Sequence, residues 1–248
     1  MRILTHRLYT QPKVDFVEWV LDKVEWRGNE TAVDIGCGSG NYVAAGQTRC
    51  QTYIAGDLSF GMVQALSHPN LPRLNMDAQQ IPLASSSVDV VLANHMLYHV
   101  PDKEAALREV KRVLRPGGWL VAATNSAGNM AELFSLRRQA MQRLNIPINP
   151  VLEKSPVADL FSLENGRSIL KNYFRHIQRH DLAGALVFPA PQPVLDYIAS
   201  TRDVLETFLP SVTWDMLYSQ LQALLAEHFA SHDEFRVNKL GGVFICYP

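Results

Sequence analysis

A glycine-rich segment at residues 33–40 carries the clearest chemical signal in the sequence. It reads Val-Asp-Ile-Gly-Cys-Gly-Ser-Gly, so that Asp34, Gly36, Cys37, Gly38 and Gly40 follow a short apolar run. Glycines are needed where a backbone turns sharply and a ligand approaches it closely. A helix that follows such a turn points free amide groups at that ligand. The segment therefore predicts a ligand-binding loop.

Two aspartates follow at the ends of the next two apolar segments. Asp57 lies 21 residues after Gly36, and Asp77 comes after the next segment along the chain. A carboxylate at the first position can accept hydrogen bonds from both hydroxyl groups of a ribose, and one at the second position can accept from an adenine amino group. The alternative for each aspartate is to cap its own loop. Because both stand beside a glycine turn, we favour the binding interpretation.

Alternating strands and helices are predicted to position these residues. Helical periodicity begins after Pro12 and returns over residues 102–115. Segments typical of strands lie at residues 31–35, 53–56, 74–76, 88–93 and 119–123. This alternation predicts an α/β fold with a parallel sheet and helices on both faces. Ligands then bind where the carboxyl ends of the strands meet.

The second half of the chain departs from that rhythm. Residues 126–172 are predicted to be helices and loops, and they are too long for a simple crossover, so we interpret them as an inserted helical lid. Further along, the sequence predicts strand character over residues 174–186, helices over residues 194–201 and 214–229, and a bent strand or hairpin around Gly241 and Gly242.

Composition excludes several classes of protein. The 248 residues are 47% hydrophobic and carry a formal net charge of −1, so we expect a single globular domain over residues 1–248 and no nucleic-acid partner. Arg137 and Arg138 are interpreted as solvated helix charges. No apolar run reaches the ~18 residues of a membrane span. Three cysteines without a Cys-x-x-Cys pair predict no metal site and a cytoplasmic location.

The order of these motifs resembles the class I methyltransferases, and within them the ubiquinone/menaquinone-type small-molecule subgroup. The resemblance covers about residues 30–125, roughly two-fifths of the chain. The segments that carry it are residues 33–40, Gly-Asp-Leu-Ser at 56–59 with Met62, Asp77 and Ala78 with Pro82, residues 88–91, residues 97–102, and residues 107–118.

The resemblance implies S-adenosylmethionine as cofactor, with S-adenosylhomocysteine as product. It implies a seven-stranded Rossmann-like sheet in the order 3-2-1-4-5-7-6, with the last strand antiparallel. The implied roles are Asp34, Gly36, Cys37, Gly38 and Gly40 around the methionine portion, Asp57 on the ribose, Asp77 and Ala78 near the adenine, Leu58 and Met62 against the adenosine, and Asn94 at the methionine end.

The N-terminal segment offers a further cofactor contact. Arg7 or Tyr9 could bind the cofactor's carboxylate, since arginine recognises carboxylates with a forked pair of bonds. The alternative is a frayed chain end. In the lid, Met130, Phe134 and Met141 either line the acceptor pocket or form ordinary core.

Two histidines are candidates for a general base. His95 and His99 follow the fourth strand, and imidazole titrates near neutral pH. The alternative for His99 is to hold its loop by bonding a backbone group. Many relatives carry His-His before the Val-Pro-Asp segment, whereas Tyr98 stands first here, so the assignment of a catalytic histidine stays open.

We therefore expect methyl transfer to a nitrogen, oxygen or carbon atom of a small-molecule acceptor, by a monomer or homodimer that needs no membrane. Positioning of the acceptor and exclusion of water are expected to dominate catalysis. One alternative is a non-catalytic S-adenosylmethionine-binding protein. Another is a nicotinamide-dependent oxidoreductase, whose fingerprint requires a glycine where Asn41 stands.

Overall fold

The computed structural model describes residues 2–68, 70–147, 159–203 and 214–247. They fall into two compact units. The sheet unit comprises Asp15–Ser126, Asp159–Asp181 and Gly241–Pro248; the helical unit comprises Met1–Val14, Ala127–Ala158 and Leu182–Leu240. The predicted lid, residues 126–172, is divided between the two units, and its closure over an acceptor stays a prediction, as does the single domain.

The described residues form eight strands and nine α-helices, numbered in chain order. The strands are β1 (Thr10–Gln11), β2 (Thr31–Ile35), β3 (Thr52–Asp57), β4 (Arg73–Asn75), β5 (Val88–Leu92), β6 (Leu114–Asn125), β7 (His176–Phe188) and β8 (Phe235–Tyr247). The helices are α1 (Arg2–Tyr9), α2 (Phe16–Leu21), α3 (Val43–Gln47), α4 (Phe60–Ala65), α5 (Lys103–Val113), α6 (Ala131–Arg143), α7 (Gly166–Leu170), α8 (Pro191–Ala199) and α9 (Trp214–Phe229).

The centre of the sheet is parallel, as the sequence predicts. Val33 of β2 pairs with Ile54 of β3 on one side and with Val91 of β5 on the other, and β6 continues the parallel arrangement beyond β5. Val33 and Val91 are fully buried. A strand covered by helices on both faces is expected to be apolar almost throughout, and β2 and β5 have that composition.

The predicted strand order is confirmed, with one strand added. The hydrogen-bonded order is β1-β7-β8-β6-β5-β2-β3-β4, and β2 to β8 correspond to the seven predicted strands. Strand β8 runs antiparallel to β6, as expected for the last strand. The added strand, β1, pairs antiparallel with β7. A strand of two residues shows no alternation in the sequence, which is why it was not predicted.

Several boundaries differ from the prediction. The helix after Pro12 starts only at Phe16, where Asp15 caps it by accepting from the amides of Val17 and Glu18. Residues 235–247 form one continuous strand, although the sequence left a hairpin open. Strand β6 begins at Leu114 and reaches its regular pairing after a register shift opposite residues 88–90.

The helical unit has its own apolar core. Helix α9 has the predicted bounds, whereas α1 was not predicted. The core gathers one face of each of α6, α8 and α9, including Leu133, Leu136, Ala140, Val194, Leu195, Ile198, Leu217, Leu221 and Leu225. No helix in the described ranges is long and apolar enough to cross a membrane.

Candidate functional site

The glycine turn after β2 combines two kinds of glycine. Gly36, Gly38 and Gly40 have φ angles of 68°, 53° and 83°, a region that residues with side chains seldom occupy. A Cβ at Gly36 would lie 2.7 Å from Met96 Cβ, and one at Gly40 would lie 2.6 Å from Leu66 Cδ2. At Gly38 the same atom would meet no described atom within 4 Å. Packing thus requires Gly36 and Gly40, while the space beside Gly38 is open to a ligand.

Asp57, the last residue of β3, holds that turn from the side. Its Oδ2 accepts the amide hydrogen of Gly38 at 2.8 Å, and its Oδ1 accepts that of Ser59 at 2.8 Å. The side-chain amide of Asn75 donates to the backbone carbonyl groups of Asp57 and Leu58. A carboxylate offers about four acceptor sites, so Asp57 keeps capacity for a diol beside the turn.

Large apolar side chains are exposed directly after Asp57. The exposed fractions are 71% for Leu58, 60% for Phe60 and 46% for Met62. Ser59 is the N-cap of α4, and its hydroxyl accepts from the backbone amide of Met62. Clustered exposed apolar residues mark ligand or partner sites. Leu58 and Met62 were predicted from the sequence, whereas Phe60 was missed, although its position directly after Ser59, the N-cap of α4, was an available signal.

Asp34 points into the protein, away from the solvent. Its Oδ2 accepts the hydroxyl hydrogen of Tyr53 at 2.9 Å. Burial raises the pKa of Asp34 to about 7, and burial likewise raises the pKa of the neighbouring Cys37 thiol to about 12. Asp34 therefore shapes the interior side of the turn, and Cys37 is a neutral thiol rather than a nucleophile at neutral pH.

Asp77 caps its own loop, which is the alternative weighed for it from sequence. Its Oδ1 accepts from the backbone amide of Gln79 at 2.8 Å, and both carboxylate oxygens accept from the Gln79 side chain. Gln79 Oε1 in turn accepts the amide hydrogen of Asp102, the N-cap of α5. Gln79, absent from the predicted site, thus fixes the loop after β4. The neighbouring Ala78 is buried, and the adenine roles of Asp77 and Ala78 stay predictions.

Asn94 and His95 stand just past the end of β5. Asn94 is buried, and its Oδ1 accepts the amide hydrogen of Ala123 at 3.0 Å, whereas its Nδ2 has no partner among the described residues. His95 has a φ of 56°, a left-handed backbone conformation that is uncommon for non-glycine residues. Burial lowers the pKa of His95 to about 4, so its imidazole is neutral at pH 7.

His99 differs from His95 in its surroundings. It is exposed at the end of the 3₁₀ turn Leu97–His99, with its ring 4.5 Å from that of Tyr98. Its backbone amide donates to the carbonyl of Met96. No side-chain hydrogen bond of His99 is formed within the described part of the chain, so the alternative that its ring bonds a backbone group is not seen.

The N-terminal candidates belong to the helical unit. The ring of Tyr9 lies 5.1 Å from that of Phe188, and the carbonyl of Arg7 accepts from Lys13 Nζ. The predicted cofactor contacts of Arg7 and Tyr9 stay predictions. No cluster of three metal-ligating side chains occurs within the ranges that the structure describes.

Comparison with known proteins points to one family. Residues 33–122 match the family described as "Methyltransferase domain". The demethylmenaquinone methyltransferase of Corynebacterium efficiens is 32% identical over 115 residues, which are 46% of this chain and 50% of that protein. The chain therefore spans about half the length of this relative.

Solved structures share the fold over nearly the whole chain. A putative methyltransferase from Bacillus halodurans aligns with a TM-score of 0.60 at 16% identity, covering 93% of this chain and 97% of that one. Phosphoethanolamine N-methyltransferase 2 of Haemonchus contortus, solved with S-adenosylhomocysteine and phosphomonomethylethanolamine, aligns with a TM-score of 0.54 at 18% identity, covering 94% and 52%. Residues 33–122 thus match a methyltransferase domain, and the chain shares the fold of these solved methyltransferases.

Proposed function

We propose that the protein transfers a methyl group from S-adenosylmethionine to a nucleophilic nitrogen, oxygen or carbon atom of a small molecule. The observation that carries this proposal is the Asp57 carboxylate, which accepts from Gly38 beside an open glycine turn and precedes three exposed apolar side chains. The matched methyltransferase family and the Haemonchus contortus structure with S-adenosylhomocysteine support the same ligand.

The described residues fit this cofactor in three respects. The free acceptor sites of Asp57 suit a ribose diol. Leu58, Phe60 and Met62 offer apolar contact to a flat base. The unpartnered Nδ2 of buried Asn94 is a donor that lacks an acceptor, and leaving such a group unsatisfied costs about 1–3 kcal/mol. A carboxylate such as that of a methionine moiety would supply the missing acceptor.

The main contribution of the protein to the reaction is to position the cofactor and the acceptor. Bound S-adenosylmethionine supplies an electrophilic methyl group on a sulfonium, whose leaving group is already good. The glycine turn and Asp57 orient the cofactor, and the buried ends of β2 and β5 exclude water from that edge of the sheet. Proximity of two correctly oriented reactants can supply most of the acceleration.

His95 is the better placed of the two candidates, since it directly follows β5 at the carboxyl edge of the sheet. Its imidazole is neutral across the physiological range and offers a lone pair to the proton of an acceptor, while the lowered pKa makes it a weak base that serves mainly to orient that proton. His99, in contrast, is exposed to solvent. We therefore assign His95 to accept or orient the proton of an acceptor that arrives protonated.

Calorimetric titration of the purified protein tests the binding step. S-adenosylmethionine and S-adenosylhomocysteine are expected to bind, and NADH is not, since Asn41 replaces the third glycine of the dinucleotide fingerprint. Absence of binding to both adenosyl ligands would refute the proposal. Incubation with methyl-labelled cofactor and a diverse panel of small molecules then separates the alternatives, because a non-catalytic binding protein would bind the cofactor and label nothing.

A further inference from the structure

Arg137 of α6 has an unusual position for an arginine. It is half-buried, and its Nε is shielded from solvent without a hydrogen-bond partner. Its guanidinium carbon lies 4.7 Å from the centre of the Phe134 ring. No described carboxylate pairs with Arg137. The expectation that Arg137 is a solvated helix charge is therefore wrong, because the guanidinium lies against the helix rather than extending into water.

The other arginines of α6 provide the contrast. Arg138 is exposed, as predicted, and its Nη2 lies 3.4 Å from the hydroxyl of Ser135. Arg143 forms a forked pair with Glu227 at 2.8 and 2.6 Å. Burial lowers the pKa of Arg137, but a guanidinium remains charged in proteins. Arg137 is therefore a permanent cation that lacks the acidic partner of Arg143 and the exposure of Arg138.

The side chains around Arg137 form one face of the helix. Phe134 lies three residues before Arg137 and therefore on the same side of α6, and Met130 is the N-cap of that helix. Met141 belongs to the buried core of the helical unit, which is the alternative weighed for it from sequence. Met130 Sδ contacts the hydroxyl of Tyr197 at 3.6 Å. This face, which we call the Arg137 face (Met130, Phe134 and Arg137), is apolar and aromatic apart from its one charge.

A second half-buried cation of the helical unit, Lys239, also lacks an acidic partner among the described residues. Lys239 Nζ lies 3.2 Å from His6 Nδ1 and 3.3 Å from Thr10 Oγ1. His6 Nε2 lies 3.4 Å from the hydroxyl of Tyr197, the residue that also contacts Met130. No carboxylate among the described residues bonds Lys239. Arg137 and Lys239 are thus two half-buried cations of the helical unit that no described carboxylate pairs.

We propose that the Arg137 face binds the carboxylate of an apolar small molecule, with the guanidinium holding the acid and Phe134 and Met130 contacting the apolar body. A guanidinium matches a carboxylate through two parallel hydrogen bonds, and the bound acid satisfies the group that the protein leaves unpaired. The bound acid is a ligand of the helical unit itself, beyond the proposed function.

Binding of small acids to paired variants tests the proposal without the cofactor. The probes are benzoate, naphthoate and octanoate, each compared with its primary amide by calorimetry or saturation-transfer NMR. At least one acid is expected to bind more tightly than its amide, and Arg137→Met is expected to weaken that acid by about tenfold or more. Arg138→Met, the neighbouring control, leaves binding unchanged. No preference for any acid, or equal weakening by both variants, overturns the proposal.

The melting temperature of the ligand-free protein separates a binding role from a structural one. Arg137→Met removes a half-buried charge that no described carboxylate pairs, and it keeps an apolar stem, so the variant is expected to melt no lower than the parent protein. A clear fall in the melting temperature of Arg137→Met that Arg138→Met does not share would show that Arg137 stabilises the fold, and would overturn the proposal. Because both measurements omit S-adenosylmethionine, failure here leaves the cofactor titration intact, and the reverse also holds.

Discussion

Asp57 Oδ2 accepts the amide hydrogen of Gly38 at 2.8 Å and so joins the end of β3 to the glycine turn that follows β2. The two residues are 19 positions apart in the sequence. They meet because β2 and β3 are parallel neighbours, with Ile35 paired to Gly56. One carboxylate therefore both fixes the turn and faces the space that the turn leaves open.

Replacement of this carboxylate should weaken cofactor binding more than folding. Asp57→Asn removes the charge from the hydrogen bonds that the ribose hydroxyls would donate, each worth about 1.5–3 kcal/mol to a charged group, so we expect S-adenosylhomocysteine to bind about 10- to 100-fold more weakly. The asparagine oxygen can still accept one of the two backbone amide hydrogens that Asp57 bonds in the protein. The measurement is calorimetric titration.

Asp89→Asn is the matched control for Asp57. Asp89 Oδ2 also accepts a backbone amide hydrogen, that of Thr31 at 2.8 Å, but Thr31 is the first residue of β2, whereas Gly38 follows its last. This variant should lose stability without losing affinity. Equal affinity losses in the two variants would argue against a cofactor role for Asp57.

The glycine turn allows a second test with an internal control. Gly38 and Gly117 have φ angles of 53° and 79°, and a Cβ at either would meet no described atom within 4 Å. Replacement of either by alanine should therefore cost only backbone strain, about 1–2 kcal/mol. Gly38→Ala alone should also abolish or strongly weaken S-adenosylhomocysteine binding, because its methyl group enters the proposed cofactor space. Similar affinities for the two variants would contradict that placement.

The two histidines can be separated by one type of substitution. Asparagine tolerates the left-handed backbone of His95, so His95→Asn removes the imidazole with little strain. We expect kcat for the acceptor found in the labelling screen to fall about 100-fold or more, with S-adenosylmethionine affinity retained. His99→Asn should leave kcat nearly unchanged. A larger loss in His99→Asn would reverse the assignment.

The titration of His95 predicts the pH dependence. Because burial lowers its pKa to about 4, the neutral base persists as the pH falls from 8 to 5, and kcat/KM should show no decline that belongs to His95 near pH 6.5. NMR titration of the imidazole resonances, assigned with the two asparagine variants, measures the pKa directly. A His95 signal that titrates near 6.5 would contradict the burial argument.

Asp34 should make stability fall as the pH rises. Its folded pKa is about 7 against an ordinary value of 3.8, so between these values the folded protein binds a proton that the unfolded chain has lost. Asp34→Asn removes this dependence. The difference in unfolding free energy between the variant and the parent protein should shift in favour of the variant by on the order of 2 kcal/mol as the pH rises from 5 to 8.

Denaturant unfolding at the two pH values measures this gain, with Asp233→Asn as the control, since Asp233 is exposed. A constant difference between Asp34→Asn and the parent protein would show that Asp34 is ionised in the folded state.

Local patterns in the sequence predicted most of the sheet. The apolar runs of β2 and β5 and the glycines after β2 mark strands and a turn by composition alone, because a strand buried on both faces must be apolar and a left-handed turn needs glycine. The bounds of β2 and α9 were predicted to the residue. Helix α1 was missed, since its leucines Leu4 and Leu8 are exposed rather than part of a core face.

The sequence by itself determined which residues gather at the carboxyl ends of β2, β3 and β5, because parallel pairing follows from the order of strands and helices. Only the tertiary structure decided how each side chain is used. Asp57 faces the open turn, whereas Asp34 points inward and bonds Tyr53. Arg137 has no acidic partner among the described residues, whereas Arg143 forms an ion pair with Glu227. These outcomes depend on burial and on partners distant in sequence, which no local pattern of residues contains.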